Sequence, residues 1–133
     1  MIEKISKVVP SGNLIPPLVD SIVSATPIYK AAVAALQRKY HHITEDLEKV
    51  IEQLEIHPEL GSSIPGYRHQ VWKIRCGSRD MRKGKRAGFR VIYAWQRNQE
   101  QVYLLFVYAK TEKTNISDAQ IKSLLQELER QLN

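Results

Sequence analysis

VWKIRCGSRDMRKGKRAGFRVIYAW, running from Val71 to Trp95, and VYLLFVY, from Val102 to Tyr108, decide how this chain folds. In the first run Trp72, Ile74 and Cys76 alternate with Val71, Lys73 and Arg75, the period-two pattern of a strand with two unlike faces. Phe89–Trp95 reads as a second strand, Asn98–Gln101 as a turn and Val102–Tyr108 as a third strand, so the last two form a hairpin. The third run is apolar on both faces. That predicts a central strand covered on both sides.

Working outward, Ser117 with Gln120 forms a capping box ahead of Ile121, Leu124, Leu125, Leu128 and Leu132, which predicts an amphipathic C-terminal helix. On the other side, Asp20–Ala25 reads as a short strand. Thr26 and Pro27 then supply the N-cap and first position of a helix reaching about Tyr40, with Ile28, Ala31, Ala32, Ala35 and Leu36 on its apolar side. Thr44 opens a second helix, with Glu45 and Asp46 where the helix dipole favours negative charge and with Leu47, Val50, Ile51 and Leu54 as its stripe. Pro58 and Gly61 end it. The predicted fold is α+β: an antiparallel β-sheet with an N-terminal helical hairpin on one face and a C-terminal helix near the other, in the order β-α-α-β-β-β-α. Residues 20–133 form one domain. Residues 1–19, broken by Pro10, Gly12, Pro16 and Pro17, read as an N-terminal arm of unknown role.

The charge is local. Residues 71–113 carry eleven basic and three acidic side chains, a net of +8, whereas the whole chain is +6 and its remainder therefore −2. A basic region on a folded chain that is 43% hydrophobic points to a polyanion partner. Lys73 and Arg75 share a strand face, Arg90 opens the next strand, and Lys110 and Lys113 follow the last one. Antiparallel pairing would bring Lys73 and Arg75 close to Arg90, where like charges repel unless solvent or an anion intervenes. The plainer reading is a basic sheet edge that resists aggregation. The loop containing Arg79, Arg82, Lys83, Lys85 and Arg86 is either a phosphate-following segment or a soluble turn.

Other chemistry finds little support. Gly77, Gly84 and Gly88 lack the spacing of a P-loop or dinucleotide fingerprint, so no small-molecule cofactor is expected. His41, His42, His57 and His69 are not spaced as metal ligands and read as capping or exposed residues; no metal site is predicted. The lone Cys76 reads as a small buried residue and suits a reducing cytoplasm. Tyr93, Trp95, Tyr103, Phe106 and Tyr108 read mostly as core, with one or two offering a stacking surface for bases. The longest apolar runs are too short to cross a bilayer, and a soluble cytoplasmic protein is expected. Basic residues alone fit one reaction well: attack of an RNA 2′-hydroxyl on its own phosphodiester, with arginine offsetting transition-state charge and a lysine of lowered pKa moving protons.

KIR at Lys73–Arg75, GFRVIY at Gly88–Tyr93 and YAK at Tyr108–Lys110 with Glu112 downstream, preceded by HPELGSSIPG at His57–Gly66, resemble the RelE/ParE toxin superfamily, in its RelE/HigB branch, over about Ser21–Glu129. The resemblance implies the toxin of a type II toxin–antitoxin system: a metal-independent, ribosome-dependent mRNA endonuclease that inhibits translation and is held by a cognate antitoxin. It implies catalytic roles for Lys73, Arg75, Arg90 and Lys110; from their charge, Arg79, Arg82, Lys83, Lys85 and Arg86, with Lys113, are expected to contact RNA. Thr111 departs from the pattern where RelE has an arginine, and Ser117 stands near its terminal catalytic tyrosine. The alternatives are a ParE-like gyrase inhibitor without nuclease activity and a non-catalytic nucleic-acid-binding module.

Overall fold

A computed structural model describes residues 2–5, 21–81 and 87–133. Along the chain run β1 (Glu3–Lys4), β2 (Ile22–Ala25), α1 (Pro27–Gln37), α2 (Ile43–Ile56), a 3-10 turn at Pro58–Leu60, β3 (Ser62–Ser63), β4 (Val71–Cys76), β5 (Phe89–Gln96), a 3-10 turn at Arg97–Gln99, β6 (Gln101–Ala109) and α3 (Asp118–Leu132). The strands form one sheet in the order β1-β2-β6-β5-β4-β3. Every neighbouring pair is antiparallel except β2–β6, which is parallel. The expectation of an all-antiparallel sheet is corrected at that pair. No tight turn joins β2 to β6, so nothing forces them to run oppositely. Of the N-terminal stretch, Glu3–Lys4 pairs with β2; residues 6–20, and with them most of the expected arm, lie outside the described residues.

The sheet separates two apolar layers. On one face Tyr29, Leu47, Val50 and Leu54 of the helical hairpin pack on Trp72, Ile74, Phe89, Val91, Tyr93 and Leu104; on the other, Ile121, Leu124 and Leu128 of α3 pack on Val71, Ile92, Ala94, Tyr103 and Leu105. β6 is central and buried on both sides, as its composition predicts. The α1 stripe is shifted from expectation: Tyr29, Ala32, Val33 and Leu36 face inward, while Ala31 and Ala35 are exposed. Alanine carries too little apolar area to orient a helix against a tyrosine and a valine. In α3, Leu132 runs off the core and is exposed.

Local chemistry places the ends as the sequence suggests. The Thr26 hydroxyl accepts from the Tyr29 amide at 3.3 Å and donates to the Leu104 carbonyl at 2.9 Å, tying α1 to the central strand. Ser117 and Gln120 form the reciprocal capping box of α3. α2 opens one residue earlier than expected, at Ile43, with His42 as an N-cap whose side chain makes no cap bond. Between β3 and β4, Arg68 and His69 both adopt positive φ, 53° and 60°, and the Gln70 amide bonds the Tyr67 carbonyl at 2.9 Å. This is a tight turn of the primed kind, which ordinarily takes Asn or Gly, and it costs about 1–2 kcal/mol per non-glycine residue.

Candidate functional site

Register builds the site. β4 and β5 pair Arg75 with Arg90, and β5 and β6 pair Arg90 with Tyr108. Directly opposed residues project to the same face, so these three side chains form a row across the sheet, with Lys73 two residues along β4 on that face. A bulge sets the row. Ile92 pairs with Phe106 and Tyr93 with Leu104, leaving Leu105 as the extra residue that re-aims the end of β6. Gly88 lets the strand ends close up, because a Cβ there would lie 2.1 Å from the Cys76 carbonyl oxygen. The Gly88 carbonyl in turn accepts from the Lys110 amide at 3.0 Å, bringing Lys110 beside the start of β5.

Lys73, Arg75, Arg90 and Lys110 line one concave surface of about 1010 Å³. β3 covers β4 only at Trp72 and Lys73. Beyond them, the outer edge of β4 opens into the cavity among the described residues. Gly61, packed where a Cβ would meet the Lys73 carbonyl oxygen at 2.6 Å, helps shape its wall. Arg90 is 5% exposed, and its Nη1 donates to the Phe89 carbonyl at 3.1 Å. Lys110 Nζ donates to the Thr114 carbonyl at 2.5 Å. Burial, then the charges of Lys110, Arg90 and Arg75, hold the Lys73 ammonium below its usual pKa. Desolvation leads and neighbouring charge adds to it. The guanidinium of Arg90 is likewise pulled down, by burial and by Arg75.

Of the residues expected to contact RNA, Arg79 lines the same cavity and Lys113 does not. Arg79 is engaged by acidic residues of α2: Nη1 donates to Glu45 at 2.7 Å, its backbone amide donates to Asp46 at 3.1 Å, and Nε lies 3.4 Å from Asp46. Asp80 accepts from the His42 amide and bonds its ring Nδ1, both at 2.8 Å, so the start of the basic loop is fastened to the helical hairpin. Lys113 lies in the turn after β6, its amide bonded to the Ala109 carbonyl, outside the cavity lining. Arg82, Lys83, Lys85 and Arg86 lie outside the described residues.

Other residues join the site unannounced. Lys49 and Gln53, one turn apart on α2, line the same cavity with Ser62 and Ser78. Their spacing beside Val50 was the available signal. Tyr108 is core, as expected, yet its buried hydroxyl has no hydrogen-bond partner among the described residues. Cys76 is buried, its thiol pushed up to about 12 chiefly by burial, which leaves it a poor nucleophile at neutral pH. Thr111 Oγ1 lies 3.4 Å from the Tyr40 hydroxyl, and Ser117 is spent on capping α3.

The described residues contain no group of three or more His, Cys, Asp or Glu able to hold a metal ion, and no described helix is long and apolar enough to cross a membrane. What the cluster offers is a concave array of fixed and titratable cations suited to a phosphodiester. No family model matches the chain. Over 71% of its length it is similar to a solved structure of a mutant of the E. coli toxin RelE in the free state, 88% of which is covered, with 15% sequence identity and a TM-score of 0.49.

Proposed function

We propose that this chain is the toxin of a type II toxin–antitoxin pair and cleaves mRNA on the ribosome, using the substrate's own 2′-hydroxyl as nucleophile. The observation that carries the reading is the gathering of Lys73, Arg75, Arg90 and Lys110 on one concave surface, with Lys73 held below its usual pKa. The order and spacing of KIR, GFRVIY and YAK support it from the sequence side.

Arg75 and Arg90 hold the non-bridging oxygens and offset the charge added in the transition state. Neutral Lys73 takes the proton from the 2′-hydroxyl as its oxygen bonds to phosphorus. Lys110 donates a proton to the departing 5′-oxygen as the P–O5′ bond breaks. The products are a 2′,3′-cyclic phosphate and a 5′-hydroxyl, with the protein's protons restored by exchange with solvent. A cognate antitoxin would cover the basic face with acidic or apolar side chains. The basic loop at 79–86 would contact RNA backbone, with Arg79 fixing its root and Lys113 adding a flanking contact.

The test is primer extension on translated messages after brief induction of the wild-type chain and of Arg90→Ala. Defined cleavage sites are expected with the wild type and none with the folded variant. Intact messages accompanied by a DNA-damage response would establish the gyrase-inhibitor alternative instead, and binding without any cut would leave a nucleic-acid-binding module.

A further inference from the structure

A second cleft lies at the far end of the sheet. It encloses about 490 Å³ and is lined by the Arg68–Gln70 turn, Trp95, Gln96 and the Arg97–Gln99 turn. Along β5, Trp95 stands five residues beyond Arg90, roughly 17 Å at strand rise and on the opposite face of the sheet. Arg97 sits with its guanidinium carbon 4.4 Å from the centre of the Trp95 ring, and Trp72 braces that ring edge-on at 5.6 Å. Arg68 and Arg97 are both exposed, and neither forms an ion pair among the described residues. Among the described residues no carboxylate lines the cleft, and Gln70, Gln96, Asn98 and Gln99 stand along it.

The turn that presents Arg68 and His69 does so at positive φ, where neither residue is at ease. The backbone is locked there from several sides: Trp72 Nε1 donates to the His69 carbonyl at 2.7 Å, and the Trp95 amide donates to the Gln70 carbonyl at 2.8 Å. Asn would satisfy this geometry more easily. An arginine in its place, beside a guanidinium stacked on indole and among amide residues, has the chemistry of a nucleic-acid contact.

We propose that this cleft is a second site, binding single-stranded RNA. A base stacks on the Arg97 guanidinium above Trp95, the amides meet its edge, and Arg68 holds an adjoining phosphate. The site concerns binding alone and does not depend on whether the cluster cleaves.

The experiment measures fluorescence anisotropy of a short labelled 2′-O-methyl RNA, which has no free 2′-hydroxyl to attack, as a single strand and as a duplex. The full chain is compared with Arg97→Gln, Arg68→Asn and Arg75→Gln, each verified as folded by circular dichroism. Arg97→Gln is expected to weaken single-strand binding about 5- to 150-fold, the range for losing one stacked base, and to leave the duplex nearly unaffected. Arg68→Asn keeps the turn, because Asn tolerates positive φ, and lowers the slope of log affinity against log salt by about 0.7, one phosphate on a single strand. Unchanged affinity and slope in both cleft variants, with loss only in Arg75→Gln, would overturn the proposal. Equal losses for single strand and duplex would overturn it too, since a general basic surface would then explain the binding.

Discussion

Replacing Arg75 with glutamine should raise stability while slowing cleavage, because the side chain opposes a like charge across the sheet and is proposed to hold the phosphate. Arg75 and Arg90 are direct cross-strand partners, so their Cβ atoms stand about 5 Å apart. Two unit charges about 6 Å apart repel by ~0.7 kcal/mol at the dielectric of water and ~2.8 kcal/mol at an effective value of 20. Arg75 is exposed, so the lower figure governs and mobile ions reduce it further. For a domain of this size that is a rise in Tm of about 2–4 °C at low ionic strength. Thermal unfolding followed by circular dichroism should show the gain, and in about 1 M salt, where the Debye length is only ~3 Å, it should vanish. Arg75→Lys keeps the charge and should show no gain. Cleavage by Arg75→Gln should fall about 10²- to 10³-fold, the loss typical of one transition-state donor. An unchanged or lowered Tm, or a gain that persists in high salt, would refute the reasoning that these cations are forced together.

Further predictions address the supports of the site. Gly88→Ala places a Cβ 2.1 Å from the Cys76 carbonyl oxygen; it should destabilise by about 1–3 kcal/mol through overpacking and move the urea midpoint down accordingly. Lys73 has a lowered folded pKa, so the unfolded chain binds more protons between that value and the ordinary 10.5, and stability should rise with pH across the window. Lys73→Met should flatten that rise, and Arg75→Gln, by removing a neighbouring cation, should shift the rising limb of the cleavage pH profile upward. The His42 imidazole is raised by its hydrogen bond to Asp80, and Asp80 is lowered by the same contact. The His42 share of stability is therefore complete below pH 6.5 and lost as pH rises through the raised value, while that of Asp80 is complete above 3.8 and lost as pH falls through its lowered value. NMR titration should place the His42 midpoint above 6.5, and Asp80→Asn should bring it down.

Strong local patterns were readable before any coordinates. Val71–Cys76 forms the predicted strand with its two predicted faces, and the doubly apolar 102–108 run lies at the sheet centre between two helical layers. What escaped depends on contacts between distant segments. Parallel pairing of β2 with β6 leaves no local trace, and alanines misplaced the inward face of α1 because Tyr29 and Val33 outweigh them. The bulge at Leu105 is equally silent in a uniformly apolar run, yet it sets Tyr108 opposite Arg90. In the site, alternation and strand order were enough to gather Lys73, Arg75, Arg90 and Lys110. Charge counting could not tell that Arg79, although it lines the cavity, is already engaged by Glu45 and Asp46. The cleft around Trp95 was hidden because Arg68 and Arg97 lie 29 residues apart in the sequence and meet only through the pairing of β4 with β5.

The ends left on a cut message report most directly on whether the cation cluster does the proposed chemistry. Programmed ribosomes incubated with the purified chain should yield an upstream fragment ending in a 2′,3′-cyclic phosphate and a downstream fragment beginning with a 5′-hydroxyl, and substituting a 2′-O-methyl nucleotide at the cleavage site should block the cut. Fragments carrying a 5′-phosphate, or cutting that survives the 2′-O-methyl substitution, would contradict the account.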